Sequence, residues 1–487
     1  MHRWTIAALV ALAAAPAAHA ATLTRAHAVL PAPKRAATAP AADTAPDVGA
    51  RSIGDSIFPT IGNGGYDAQH YDLNLSYVPG AHQLSGTTTM TAVATQPLRE
   101  FSMDFQGFTI SALTVDGKPA TTARDGNKLI IDPATPLADG QTFTVAVTYS
   151  GTPPTITDED GSQEGFLQTV DGGAIVVCEP VGSMGWFPNN DTPADKATYD
   201  ISMTVPPGMN VLANGVLVSS DVGATGQTFH WRQAEPMASY LATATLGAIQ
   251  VTHSDHDGVS IDVGVAAGYV PLTLTDDTLT RIPEILDLFK ELYGPYPFKE
   301  AGAIVAVAPT VGYALETQTK PNFPLPPDPV TLAHETAHQY WGDSLALKDW
   351  KDIWLNEGFA TWSEWVFDER RNGGATTASE FDTVYAKTGS YWALPPANPG
   401  SGANIFATEV YQRGGAALEG LRQIVGEPAF LRIMQAWYAR NRNGNVDTAM
   451  FIATAEELGG VDPARLGAYF QQWLYGTTKP TITPANF

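Results

Sequence analysis

Two kinds of hydrophobic spacing divide the chain. Between about residues 65 and 250, apolar positions alternate with polar ones, as in YDLNLSY (71–77) and TFTVAVTYS (142–150). That period of two belongs to half-buried strands. Asp-Gly pairs in VDGK (115–118) and RDGN (124–127) sit where hairpin turns are needed. ISMTVPPGMNVLANG (201–215) reads as strand, turn, strand. The pattern predicts an antiparallel β domain over residues 63–250.

From about residue 270 the spacing becomes helical. RIPEILDLFKELYG (281–294) lines up Ile, Leu and Phe on one face and stops at Gly294-Pro295. AIVAVAP (303–309) is a short apolar strand. PPDPVTLAHETAHQYWG (326–342) offers Asp328 as N-cap and Pro329 as first helical residue. Further helices are predicted near 352–371, 414–425, 428–441 and 447–459, and over 464–476 after Asp462-Pro463. The fold class is α+β multidomain, with a mainly helical second domain over 251–487. The length of 487 residues fits more than one core.

The N-terminus changes the picture at one end. MHRWTIAALVALAAAPAAHA joins a basic n-region to a short Ala/Leu/Val run and a small-x-small site at Ala18-His19-Ala20. Residues 1–20 therefore read as a signal peptide, and export to the periplasm or medium is expected. Residues 21–62 are rich in Ala and Pro and are expected to form a poorly ordered linker or pro-segment. No later segment is apolar and long enough for stable membrane insertion. With a formal charge of −23, the chain lacks the clustered cations that nucleic acid requires. The lone Cys178 excludes an intramolecular disulfide and reads as a small buried side chain.

The candidate chemistry lies in HETAHQYWGDSLALKDWKDIWLNEGFATWSEW (334–365). His334 and His338, at i and i+4, present two imidazoles on one helix face, one turn apart. That suits two ligands of a tetrahedral zinc. Glu335 is placed to take a proton from water on the metal. Glu357 opens a second helix after eighteen intervening residues and can complete the ligand set, leaving one position open. The acidic loops TDEDGS (157–162) and HSDHDG (253–258) lack the twelve-residue calcium pattern and read as solvated turns.

HExxH followed by eighteen residues and Glu resembles the zinc segment of the aminopeptidase N-type gluzincins. The resemblance runs over about residues 65–480. KATYDISMTVPPGMNVLANG (196–215) and SYLATATLG (239–247) are similar to the family's N-terminal β domain, and FKELYGPYPF (289–298) to the entry of its thermolysin-like catalytic domain. It implies one Zn²⁺ on His334, His338 and Glu357, with Glu335 as general base. It also implies that Tyr411, in EVYQRGG, donates a hydrogen bond to the oxyanion. GYALETQT (312–319) stands where the family carries G-x-M-E-N. Glu316 matches the glutamate that binds the substrate's α-ammonium, while Tyr313, Leu315 and Thr317 depart from the motif. Tyr313 and Ala314 are expected at the first substrate pocket. Glu179, in VVCEPVG, resembles a second amine-contacting group.

The implied function is an exported aminopeptidase acting on peptides with a free N-terminus. The chain stops soon after FQQWLYGTTKP (470–480), so the family's later domains are expected to be missing and the cleft more open. The altered motif keeps a zinc endopeptidase open as an alternative. From another class, so does a zinc-bearing peptide-binding protein without turnover, against which Glu335 and Tyr411 argue.

Overall fold

The computed structural model describes residues 45–224, 226–267 and 277–487. The predicted signal peptide lies outside them. The N-terminal part is built on an eight-stranded sheet. Its order is Val216–Val222, Gln227–Ala238, Lys196–Val205, Tyr66–Val78, Gln83–Ala94, Thr142–Gly151, Thr109–Val115 and Lys118–Pro119. Strand Tyr66–Val78 buries Tyr66 and Ala68, then Tyr71, Leu73, Leu75 and Tyr77. The buried set switches from even to odd numbers because a bulge between Ala68 and His70 adds one residue.

The pairing is antiparallel except that Tyr66–Val78 runs parallel to Lys196–Val205. A crossover of more than a hundred residues separates those two strands, and strand alternation carries no information about such long-range pairing. The predicted turns fall where strands reverse: Asp116 and Gly117 have φ of 50° and 71°, and Gly126 has φ of 59°.

The linker expectation for residues 21–62 is corrected over its described part, 45–62. Val48, Ile57, Phe58 and Ile61 are buried. Asp55 accepts hydrogen bonds from the Ile57 and Phe58 N–H groups through one oxygen and from Trp350 N–H through the other. The Ala- and Pro-rich stretch before residue 45 masked these four apolar residues when the segment was read as one composition.

A four-stranded sheet follows, in the order Ile249–His256, Val259–Ala266, Glu300–Val305 and Asn322–Phe323. Eight α-helices are found among the described residues: α1 (Ile282–Tyr293), α2 (Pro329–Ala337), α3 (Trp354–Phe367), α4 (Thr377–Tyr385), α5 (Thr408–Val425), α6 (Glu427–Asn441), α7 (Thr448–Leu458) and α8 (Pro463–Phe470). Helix α4 escaped the sequence reading because only Thr377, Phe381 and Val384 are buried in it. Helix α2 starts as predicted, with Asp328 accepting from Val330 and Thr331 N–H at 2.9 and 2.8 Å.

Helices α3 and α5 cross at a glycine pair. A Cβ on Gly358 would lie 2.8 Å from Gly414 Cα, and the reverse contact is also 2.8 Å. Side chains at either position would force the helices apart, and with them Glu357 and Tyr411. Arg413, fully buried on α5, locks the C-terminal segment. Its guanidinium donates to the carbonyls of Trp392, Leu394, Gln472, Trp473 and Gly476. Arg413→Met leaves these buried acceptors without a donor. It is expected to lower the unfolding free energy by about 3–5 kcal/mol, measured by denaturant titration.

Candidate metal centre

His334 and His338 leave α2 on the face turned towards α3. Their Nε2 atoms each lie 3.4 Å from Glu357 Oε2. Three donors of one tetrahedral zinc, at bonds of about 2.0–2.1 Å, stand about 3.3–3.4 Å apart. Both observed separations from Glu357 have that size.

The other ring nitrogens are engaged from outside. His334 Nδ1 lies 2.8 Å from Glu364 Oε2, and His338 Nδ1 lies 2.9 Å from the Trp341 carbonyl. Both acceptors hold the proton on Nδ1 and turn the Nε2 lone pair inward, as metal-binding histidines require. Glu364 was missed in the sequence reading. It lies seven residues after Glu357, two turns along the same helix face, and that spacing is visible in the sequence.

Glu179, Tyr313, Ala314, Glu316, His334, Glu335, His338, Glu357, Phe406 and Tyr411 line one small cavity that opens to solvent. Every residue proposed from sequence is therefore brought together. Phe406 is the addition; it precedes α5 in a segment without periodic signal. The Tyr411 ring lies 6.0 Å from the His334 ring at an interplanar angle of 21°. The Tyr313 hydroxyl donates to the Gln163 carbonyl at 2.9 Å, and its ring joins an apolar cluster with Leu167, Ile175 and Val177. The ring thus points at the β domain, which explains how a large side chain fits there. Glu316 follows on the edge of the four-stranded sheet, where Leu315 bridges Asn322.

The electrostatics ask for a cation. Glu179, Glu316, Glu335, Glu357 and Glu364 are all buried around two imidazoles. Buried anions must be paired or bind metal. Burial raises the Glu316 carboxyl despite the pull of His338; its Oε1 is 4.0 Å from His338 Nδ1 and has no hydrogen-bond partner. Burial also pushes Glu335 up to about 7. Burial acts in the same direction on Glu357, but His338 and His334 outweigh it and hold that carboxyl at about 2, in the ionised form a ligand needs. Donor types, spacing and surplus negative charge together fit one zinc ion on His334, His338 and Glu357.

Comparison with known proteins agrees. The Peptidase M1 N-terminal domain model matches residues 67–241, and the Peptidase family M1 domain model matches residues 329–473. Aminopeptidase N of Streptomyces lividans is 26% identical over 323 residues, covering 59% of this chain and 36% of that protein. Aminopeptidase N of Lactobacillus delbrueckii subsp. lactis is 24% identical over 467 residues, covering 86% and 52%. The chain thus spans only about a third to a half of these curated relatives. A crystal structure of an M1 zinc metallopeptidase from Deinococcus radiodurans superposes with a TM-score of 0.79 at 30% identity, covering 88% of this chain and 98% of that one. A mutant of the Deinococcus enzyme bound to a Tyr-Ser-Ala substrate gives 0.80 at 29% identity, covering 90% and 100%. Joined to the His334–His338–Glu357 group and the paired β and helical domains, these matches show that the chain belongs to peptidase family M1.

Proposed function

We propose that this chain is an exported zinc aminopeptidase that removes single residues from peptides with a free N-terminus. The observation that carries the reading is Glu316: a buried carboxylate with an oxygen that makes no hydrogen bond, facing the same cavity as the metal ligands. A substrate α-ammonium is the complement of that group. Glu179, from the β domain, faces the same cavity and supplies a second acceptor. Export is proposed on the leader-like pattern of residues 1–20.

Bound zinc supplies Lewis acidity and a low-pKa water. Glu335 accepts the proton of the attacking water and returns it to the leaving amine. The Tyr411 hydroxyl donates to the oxygen on which negative charge develops. Holding the ammonium at Glu316 fixes the first peptide bond over the reacting groups, so cleavage stops one residue from the end.

Glu316→Gln tests the assignment. It keeps the shape and removes the charge. The expected result is a rise of about tenfold to a hundredfold in KM for free-amine peptides, because charge-assisted bonds to the ammonium are lost. Unchanged KM in steady-state kinetics would remove Glu316 from substrate binding.

A further inference from the structure

The amine-binding segment and the zinc ligands are held by different parts of the molecule. Residues 313–322 are fastened to the β domain. Tyr313 reaches Gln163, Asn214 Nδ2 donates to the Gln318 carbonyl at 2.8 Å, and the Asn322 and Thr245 side chains are 2.8 Å apart. The zinc ligands belong to the α2 segment and α3. Gln339, directly after His338, joins the two. Its Nε2 donates to the Glu316 carbonyl at 3.0 Å, and its Oε1 accepts from Thr319 N–H at 2.6 Å. One amide thereby holds both ends of the short stretch that carries the Glu316 side chain.

Thr319 gives the contact its meaning. Its φ is +73°, a conformation that is strained for a β-branched residue. It occupies the third position of a turn closed by Lys320 N–H on the Thr317 carbonyl at 3.0 Å. Such a backbone persists only where its surroundings over-determine it. Two restraints act directly on Thr319: Gln339 Oε1 on its N–H, and Gly215 N–H, which donates to its Oγ1 at 2.9 Å. The first comes from the zinc-binding segment and the second from the β domain.

We propose that Gln339 is a positioning residue that sets the distance and register between the Glu316 carboxylate and the zinc ligands. It thereby determines whether a substrate anchored by its ammonium presents its first peptide bond to Glu335. The inference rests on the reading of Glu316 as the ammonium-binding group. It predicts that loss of the Gln339 bonds damages recognition of the free amine while leaving metal binding intact.

The test uses the full zinc-loaded chain and one tripeptide in free and N-acetylated forms. Gln339→Met preserves length and removes both bonds. Gln339→Glu keeps the acceptor for Thr319 N–H and loses the donor to Glu316. The wild type is expected to prefer the free peptide strongly in kcat/KM. Gln339→Met should keep one zinc per chain, raise KM for the free peptide, and shrink the free-to-acetylated ratio about tenfold to a hundredfold. That range matches the cost of displacing a bound group by about 1 Å. Gln339→Glu should fall between the two.

Thr319→Gly, which accepts positive φ without strain, should restore part of the ratio when combined with Gln339→Met. A wild-type ratio in Gln339→Met, even with a lowered Tm, would overturn the proposal and leave Gln339 a packing residue. If Gln339→Met does not fold, the ratio in Gln339→Glu decides by the same criterion. A wild type without preference for the free peptide overturns the aminopeptidase reading itself, and this inference falls with it, before any variant is compared.

Discussion

Glu335→Gln is expected to lower kcat by about 10²–10⁴-fold, the range that a positioned general acid–base contributes. Gln keeps the size and polarity of Glu but cannot take a proton. Glu335 is buried beside His334 and His338, and it donates no atom to the His334–His338–Glu357 triangle. Zinc content should therefore remain at one ion per chain, and KM should change little because the ammonium contact proposed for Glu316 is kept. Elemental analysis and steady-state kinetics on the same preparation separate the two effects. Full turnover in this variant would remove Glu335 from the chemistry.

Glu357→Ala is expected to abolish both zinc binding and activity. Glu357 Oε2 is 3.4 Å from both ligating nitrogens and is the anionic member of the set. Its removal deletes one of three ligands, so affinity should fall by more than the roughly 10–100-fold typical of losing an outer hydrogen-bond partner. Thermal denaturation gives a second readout. A ligand that binds only the folded state stabilises it by about 4 kcal/mol at a thousand times its Kd. Chelation should therefore lower the Tm of the wild type and leave that of Glu357→Ala unchanged. A variant that retained stoichiometric zinc would place the metal elsewhere.

Much of this site is legible in the sequence because its parts are local. His334 and His338 lie one helical turn apart, and Asp328-Pro329 announces the helix that carries them. Glu357 lies in a second helix whose packing against the first follows from its apolar face. Other features depend on contacts between distant residues. The Gly358–Gly414 approach, which joins the helices that carry Glu357 and Tyr411 to one cavity, needs both helices in place. Residues 45–62 read as a linker because their burial depends on Trp350 and the β sheet, some three hundred residues away in the case of Trp350. The direction of the Tyr313 ring depends on a distant residue in the same way: its partner, Gln163, belongs to the other domain. Gln339 stands beside His338 in plain view. Only the folded path of residues 316–319 shows what its amide holds.

That division also separates two questions about function. In the proposed mechanism the zinc ligands and Glu335 account for hydrolysis of a peptide bond. In the proposed reading the choice of bond rests on Glu316, carried by a segment whose neighbours Tyr313, Leu315 and Thr317 depart from the motif that it resembles. The structure gives those departures local roles. Tyr313 anchors the segment to the β domain, Leu315 is buried beside it, and Thr317 Oγ1 donates to the Lys320 carbonyl at 2.6 Å. These contacts brace the segment and leave the Glu316 carboxylate facing the cavity.

The most direct measurement of the central claim is mass spectrometry of a matched set of peptides, each with a free or an acetylated N-terminus, incubated with the zinc-loaded protein. Stepwise shortening of the free peptides by one residue at a time, with the acetylated ones left whole, is the predicted result. Internal cleavage of the acetylated peptides would contradict it and make the chain an endopeptidase.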